Sequence, residues 1–130
     1  MTLFEIVALY VAINSVLLIA LSLRVGLVRI KKGVNLGDGG QSQLQARIRA
    51  QGNYIEYAPM ALIGLFIIAA LNAHPLALHV FGISFLVGRL AHASAMDTEG
   101  ARGKGRGIGM ILTFSTLLGQ AACILFLIFT

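Results

Sequence analysis

The chain has 130 residues, of which 58% are hydrophobic and 12% charged, and its mean hydropathy is +0.87. These values fall outside the range of a water-soluble globular domain and place the chain in a lipid bilayer. The net charge of +5 would suit a nucleic acid only as a basic patch on a water-facing fold with base-reading groups, and no segment offers one.

A helix needs about 20 residues to cross a hydrocarbon layer roughly 30 Å thick, and four segments reach approximately that length. The first, Thr2 to Val28, follows the initiator Met without a basic leader or a small-residue cleavage site, which predicts a retained span rather than a signal peptide. A loop from Lys31 to Gln41 follows, holding Gly33, Gly37, Gly39 and Gly40 with Asn35 and Asp38. Such residues break a helix. The loop lacks the Gly-Lys-Ser/Thr ending of a phosphate-binding loop and reads as a plain connector.

The second span is expected from about Gln43 to Leu71, with Ser42 and Gln45 at the spacing of a capping box at its start. At a rise of 1.5 Å per residue it is about 43 Å long, so its first turns, with Arg47 and Arg49, should project into the headgroup layer. His74 and Pro75 fit an N-cap followed by Pro at the first helical position, and the third span is expected over 75–95. The fourth is expected from Gly107 to Phe129, with Thr113, Thr116 and Gln120 as a polar stripe for interhelical hydrogen bonds and Gly109 and Gly119 permitting close approach. Cys123 is the sole cysteine, which excludes a disulfide framework and a thiolate metal site. The fold class is therefore all-α, an antiparallel, up-and-down four-helix bundle in one domain.

The basic residues are unevenly placed. Arg24, Arg29, Lys31, Lys32, Arg47 and Arg49 surround the first loop, and Arg89, Arg102, Lys104 and Arg106 the last, whereas 72–74 and the chain ends carry none. By the positive-inside rule, loops 29–46 and 97–106 face the cytoplasm and both termini lie outside.

Ionisable groups at membrane depth cost several kcal/mol unless paired or facing water, which singles out Glu56 and Arg89. Glu56 lies about 24 Å from the outer turn and Arg89 about 21 Å from it, so the two share a depth. On the second helix Arg49, Asn53, Glu56 and Met60 share one stripe, with Tyr57 one turn from Asn53; on the third, Phe85, Arg89, His92 and Met96 form another. Pro59 removes a backbone hydrogen bond beside the first stripe. Two readings follow: Glu56 and Arg89 form a buried ion pair that fixes helix register, with Asn53 bonding between helices, or the stripe is a ligand site. A guanidinium suits a carboxylate, a carboxylate suits an ammonium, and an amide suits a peptide group. That combination fits a small zwitterionic peptide. His92 is expected to be a hydrogen-bonded helix histidine, and His74 and His79 are expected near the outer surface with no assigned role.

The run Arg49-Ala50-Gln51-Gly52-Asn53-Tyr54-Ile55-Glu56-Tyr57-Ala58-Pro59 resembles the second-helix signature of the MAPEG family, which includes microsomal glutathione transferases, leukotriene synthases and bacterial relatives. The Gly-Asp-Gly-Gly run before Ser42 and the run Gly88-Arg89-Leu90-Ala91-His92 resemble the bacterial branch, hence a bacterial inner membrane. The resemblance implies a homotrimer with glutathione as co-substrate between the cytoplasmic halves of neighbouring subunits. It implies that Arg49 and Gln51 contact carboxylate or backbone groups of the tripeptide, Asn53 its amide region, Glu56 its amino group and Tyr57 an adjacent part, with Arg89 closing the site. It further implies a thiolate-stabilising arginine near the last loop, for which Arg106 is the candidate and Arg102 and Lys104 are rivals. A cation there lowers the thiol pKa and raises the thiolate fraction. Where the leukotriene synthases carry tyrosines on the third helix, this chain has His92 and Met96.

The implied function is a membrane-bound glutathione transferase or peroxidase acting on a lipophilic small molecule that arrives through the bilayer. The alternative is a non-catalytic lipid-binding or scaffold protein of the same fold. A small multidrug transporter, a further four-helix type, needs a carboxylate deep in the first helix, where this chain offers only Glu5 near the start.

Overall fold

A computed structural model describes residues 1–96 and 103–130. It contains four helices, α1 (Leu3–Lys32), α2 (Ser42–Ala70), α3 (Pro75–Ala95) and α4 (Lys104–Phe129), and no strand among the described residues. All four are long and apolar enough to cross a membrane. The chain is an integral membrane protein of all-α architecture.

Local chemistry sets the helix ends. Thr2 accepts the Glu5 amide through its hydroxyl at 3.2 Å, and the Glu5 carboxylate accepts the Thr2 amide at 2.8 Å, a reciprocal cap for two otherwise unbonded donors. α1 runs one turn beyond the expected residue 28, to a glycine, Gly33, in the left-handed conformation at φ 66. Arg29, Lys31 and Lys32 fill its last turn, where positive charge suits the carboxyl end of the helix dipole.

The expected capping box at Ser42 does not form. Gln41 takes the N-cap position without a side-chain hydrogen bond. Ser42 is already inside the helix, so its hydroxyl cannot stand where a cap must, outside the first turn. The preceding loop closes through the Asp38 carboxylate, which accepts the Gly40 amide at 3.0 Å, and through left-handed Gly37, Gly39 and Gly40. α2 passes through Pro59 as one continuous helix. His74 caps α3 as expected, its Nδ1 accepting the Leu76 amide at 3.2 Å with Pro75 behind it. α4 starts three residues before the expected Gly107.

α3 packs most extensively on α4 and α1 on α2, while α2 also touches α3 and α4. One apolar cluster, near the outer turn, joins Ile6, Val7, Tyr10, Leu65, Ile68 and Leu78. A second, toward the cytoplasmic half, joins Leu21, Tyr54, Ala58, Ala61, Phe85 and Ala93. Several of the polar residues inside are bonded across helices. Tyr54 donates its hydroxyl to the Asn14 carbonyl at 2.8 Å and lies 3.0 Å from Asn14 Oδ1. Gln120 donates to the Ala61 carbonyl at 3.0 Å, and Thr116 reaches Ser84 at 3.0 Å. Thr113, on the same stripe of α4, instead bonds back to Gly109 at 2.8 Å. Leu18, Ile19, Leu23 and Leu27 of α1 and Ile111, Leu118, Leu125 and Phe126 of α4 are exposed, an apolar exterior suited to lipid.

Glycines set the α3–α4 distance. A Cβ at Gly109 would lie 2.5 Å from the Gly88 carbonyl oxygen and 2.7 Å from His92 Cβ, and one at Gly105 2.8 Å from the Ala91 carbonyl oxygen. Gly105 and Gly109 are spaced i, i+4, the small-residue pattern of closely packed membrane helices.

Candidate functional site

The α3 stripe lies wholly inside the bundle. Phe85, Arg89, His92 and Met96 are all buried, Arg89 at 2% exposure and His92 at 4%. A guanidinium at that depth needs acceptors. Arg89 Nη1 donates to Asn53 Oδ1 of α2 at 2.7 Å, and Nη2 lies 3.8 Å from the Met110 sulfur of α4. Its Cζ stands 5.8 Å from the Tyr57 ring centroid and 5.9 Å from that of Phe85, within range of a cation–π attraction. Arg89 Nε is the only enclosed side-chain nitrogen or oxygen without a partner among the described residues.

Asn53 and Tyr57 thus face α3. Tyr57 continues into α4 through an edge contact with Phe114, ring centroids 5.7 Å apart. The expected alternative of an ion pair between Glu56 and Arg89 is not what the structure contains: the guanidinium bonds to Asn53, and Glu56 is exposed on the outside of the chain. Residues three apart are offset by about 60° around a helix. With Asn53 pointed at α3, Glu56 is turned away. Arg49 is also exposed, on the same outer stripe.

Gln51 faces the other way and donates to Ser22 of α1 at 2.7 Å. Arg47 crosses to α1 as well, donating to the Arg24 carbonyl at 3.1 Å. The candidate residues therefore fall into three groups. Asn53, Tyr57 and Arg89 meet; Arg49 and Glu56 line the outer surface beside them; Gln51 ties α2 to α1.

Arg106 occupies the first turn of α4 and is exposed. Arg106, Met110 and Phe114 follow i, i+4, i+8. Met110 touches Arg89 and Phe114 touches Tyr57, so Arg106 shares the stripe of α4 that meets the site. Lys104 is exposed and two residues off that stripe. Arg102 lies outside the described residues.

His92 departs from expectation, because neither ring nitrogen has a hydrogen-bond partner among the described residues. His79 is less free than its expected surface position implied: the Tyr10 hydroxyl lies 3.0 Å from its Nδ1, over a ring contact that Gly82 makes possible. Two contributors were not anticipated from sequence. Met110 could have been found from its spacing to Arg106. The Asn14–Tyr54 bond joins residues forty apart, and no local spacing signals it.

Along the outer face of α2 beyond Glu56, a hollow of about 250 Å³ runs between α2 and α4, lined by Met60, Ile63, Gly64, Ile67, Leu117 and Gln120 among others. It is almost entirely apolar and starts one turn from Glu56.

The sequence pattern of the MAPEG family matches residues 7–126. The chain is 39% identical over 85 residues to the inner membrane protein YecN of Escherichia coli strain K12, and equally to its counterpart in Escherichia coli O6:H1. Each match covers 65% of this chain and 65% of the relative, slightly less than two thirds of the relatives' own length. No solved structure matches the chain.

Proposed function

The chain belongs to the MAPEG family, and from that premise we propose that it is a membrane-bound glutathione-dependent enzyme, a transferase or peroxidase, that acts on a lipophilic electrophile in a bacterial inner membrane. The observation that carries this reading is the incomplete site on α2. Glu56 and Arg49 lie exposed on an otherwise apolar outer stripe, next to a buried guanidinium with a spare N–H. A carboxylate exposed to lipid at that depth is costly, so a ligand and a second copy of the chain must cover it. A homotrimer with the ligand between subunits does both.

In this arrangement Arg49 takes a carboxylate of the tripeptide and Glu56 its ammonium, two charge-assisted hydrogen-bonding partners of opposite sign. Asn53 offers its amide NH₂ to the peptide while its oxygen holds Arg89. Tyr57 flanks them, whereas Gln51, bonded to Ser22 of α1, stands apart from the group. Arg106 stabilises the thiolate: the thiol proton leaves to water, the thiolate sulfur bonds to the electrophilic carbon, and the displaced electron pair goes to the leaving group or the adjacent acceptor atom. In the peroxidase variant the sulfur attacks the terminal hydroperoxide oxygen, the O–O bond breaks, and the alkoxide leaves and takes a proton. The sulfenic acid formed then condenses with a second glutathione to give the disulfide and water. The apolar hollow beside Met60 and Ile63 suits the alkyl part of such a partner, held close to the sulfur so that proximity lowers the barrier.

Isothermal titration of the detergent-solubilised protein with glutathione is expected to show binding that is lost in both Glu56→Ala and Arg49→Ala. Unchanged affinity in the two variants excludes this site. Addition of glutathione should also raise the ultraviolet absorbance of a thiolate, and Arg106→Ala should abolish the rise. Binding without that signal in the wild type would select the non-catalytic lipid-binding alternative.

A further inference from the structure

We propose that His92 contacts the sulfur of the bound thiol and is a catalytic residue of the site, donating an imidazole N–H to the thiolate. The proposal rests on the glutathione reading above. Three observations lead to it.

First, His92 is 4% exposed yet has no hydrogen-bond partner among the described residues. A buried imidazole normally finds one. Second, Arg89 Nε is the only fully enclosed side-chain nitrogen or oxygen without a partner among the described residues, so the two His92 nitrogens, also unpartnered, are not fully enclosed. Third, the neighbours of His92 are those of the site. It lies one turn from Arg89 on the same face of α3, and Gly109 brings the backbone of α4 against its Cβ. Arg106 lies one turn before Gly109 on α4. A side chain at Gly109 would wedge the helices apart there, so the glycine is what brings the histidine and Arg106 together.

A buried, unbonded donor one turn from a guanidinium points to an anion or a polarisable acceptor as its missing partner. Of the groups on the tripeptide, one carboxylate and the ammonium are matched by Arg49 and Glu56 on the outer stripe. The sulfur, rather than the second carboxylate, is assigned to the inner end because Arg106, the thiolate-stabilising candidate, shares the α4 stripe that meets Arg89 and Tyr57. On ionisation the S–H proton leaves to water, and the thiolate accepts the imidazole N–H. No other bond changes.

The test compares wild type, His92→Phe and His92→Asn with two probes, glutathione and its analogue carrying a methyl group in place of the thiol. In wild type, glutathione should give the thiolate absorbance and the analogue should bind without it. In His92→Phe the bound thiolate at fixed pH should fall about tenfold, equivalent to a rise of one unit in the bound thiol pKa, while analogue affinity stays within about threefold, roughly 0.7 kcal/mol. His92→Asn keeps an N–H donor and should recover part of the thiolate signal. Normal thiolate in His92→Phe overturns the inference and leaves the glutathione site intact, as does equal loss of affinity for both probes in both variants, which marks a packing role. Failure of the wild type to bind either probe overturns the glutathione reading and this inference with it.

Discussion

The polar stripes of α2 and α3 look alike on paper and have opposite fates. Each places charged, polar and sulfur-bearing side chains at helical spacing, at the same depth. On α3 every member is buried and Arg89 is bonded within the chain. On α2 the members divide: Asn53 turns inward to Arg89, whereas Arg49, Glu56 and Met60 remain outside. A buried charge must be satisfied by its own chain, but an exposed one at membrane depth requires something from beyond it. The Arg89 bond therefore holds the fold together, and the outer stripe of α2 is left for the proposed ligand.

Substitutions on the two stripes should separate accordingly. The largest effect is expected for Glu56→Ala, which should cost about 2–5 kcal/mol of glutathione binding, as truncating one partner of a buried charge pair does. Its denaturant midpoint, followed by helical circular dichroism in detergent, should shift by no more than about 0.5 kcal/mol. A large loss of helix stability in this variant would erase the distinction between the stripes.

Arg89→Leu should behave in reverse order. Stability should drop by about 1–3 kcal/mol because Asn53 Oδ1 loses its donor at depth, and binding should weaken as Asn53 is freed. Melting unchanged from wild type would mean that the Asn53 bond does not hold α2 on α3. Gly109→Ala should cost a comparable 1–3 kcal/mol or so through overpacking against Gly88 and His92, with the thiolate signal reduced as α4 backs away. Gly107→Ala, a position where a Cβ meets nothing within 4 Å, is the matched control and should leave both readouts alone. The smallest effect belongs to Tyr54→Phe. It removes the hydroxyl bond to Asn14, worth about 0.6 kcal/mol by the average for interhelical hydrogen bonds in membranes, and should leave glutathione titrations unchanged.

Composition and segment length were enough for the four spans. The left-handed glycines of the first loop and the Pro75 start of α3 were also legible, because they act through the local backbone. The capping box at Ser42 misled because the residue types fit while the start of the helix lay one position earlier. For the site, the stripe of α2 was visible as a cost: a Glu among apolar residues must have a reason. The family signature then supplied the ligand to test.

Which way each stripe faces was not in the sequence. Helical periodicity fixes which residues share a face, but the packing of neighbouring helices chooses which face is covered. Asn53 and Glu56 differ by about 60° around α2, and that small angle decided that Arg89 would bond to the amide and leave the carboxylate outside. The pairing of Tyr54 with Asn14, the Met110 sulfur beside Arg89 and the unbonded state of His92 likewise depend on how closely Gly105 and Gly109 let α4 approach and on how α1 lies along α2. The sequence by itself determined a membrane-spanning bundle with a costly polar stripe. Only the tertiary structure decided which part of that stripe the chain satisfies itself and which part it leaves open.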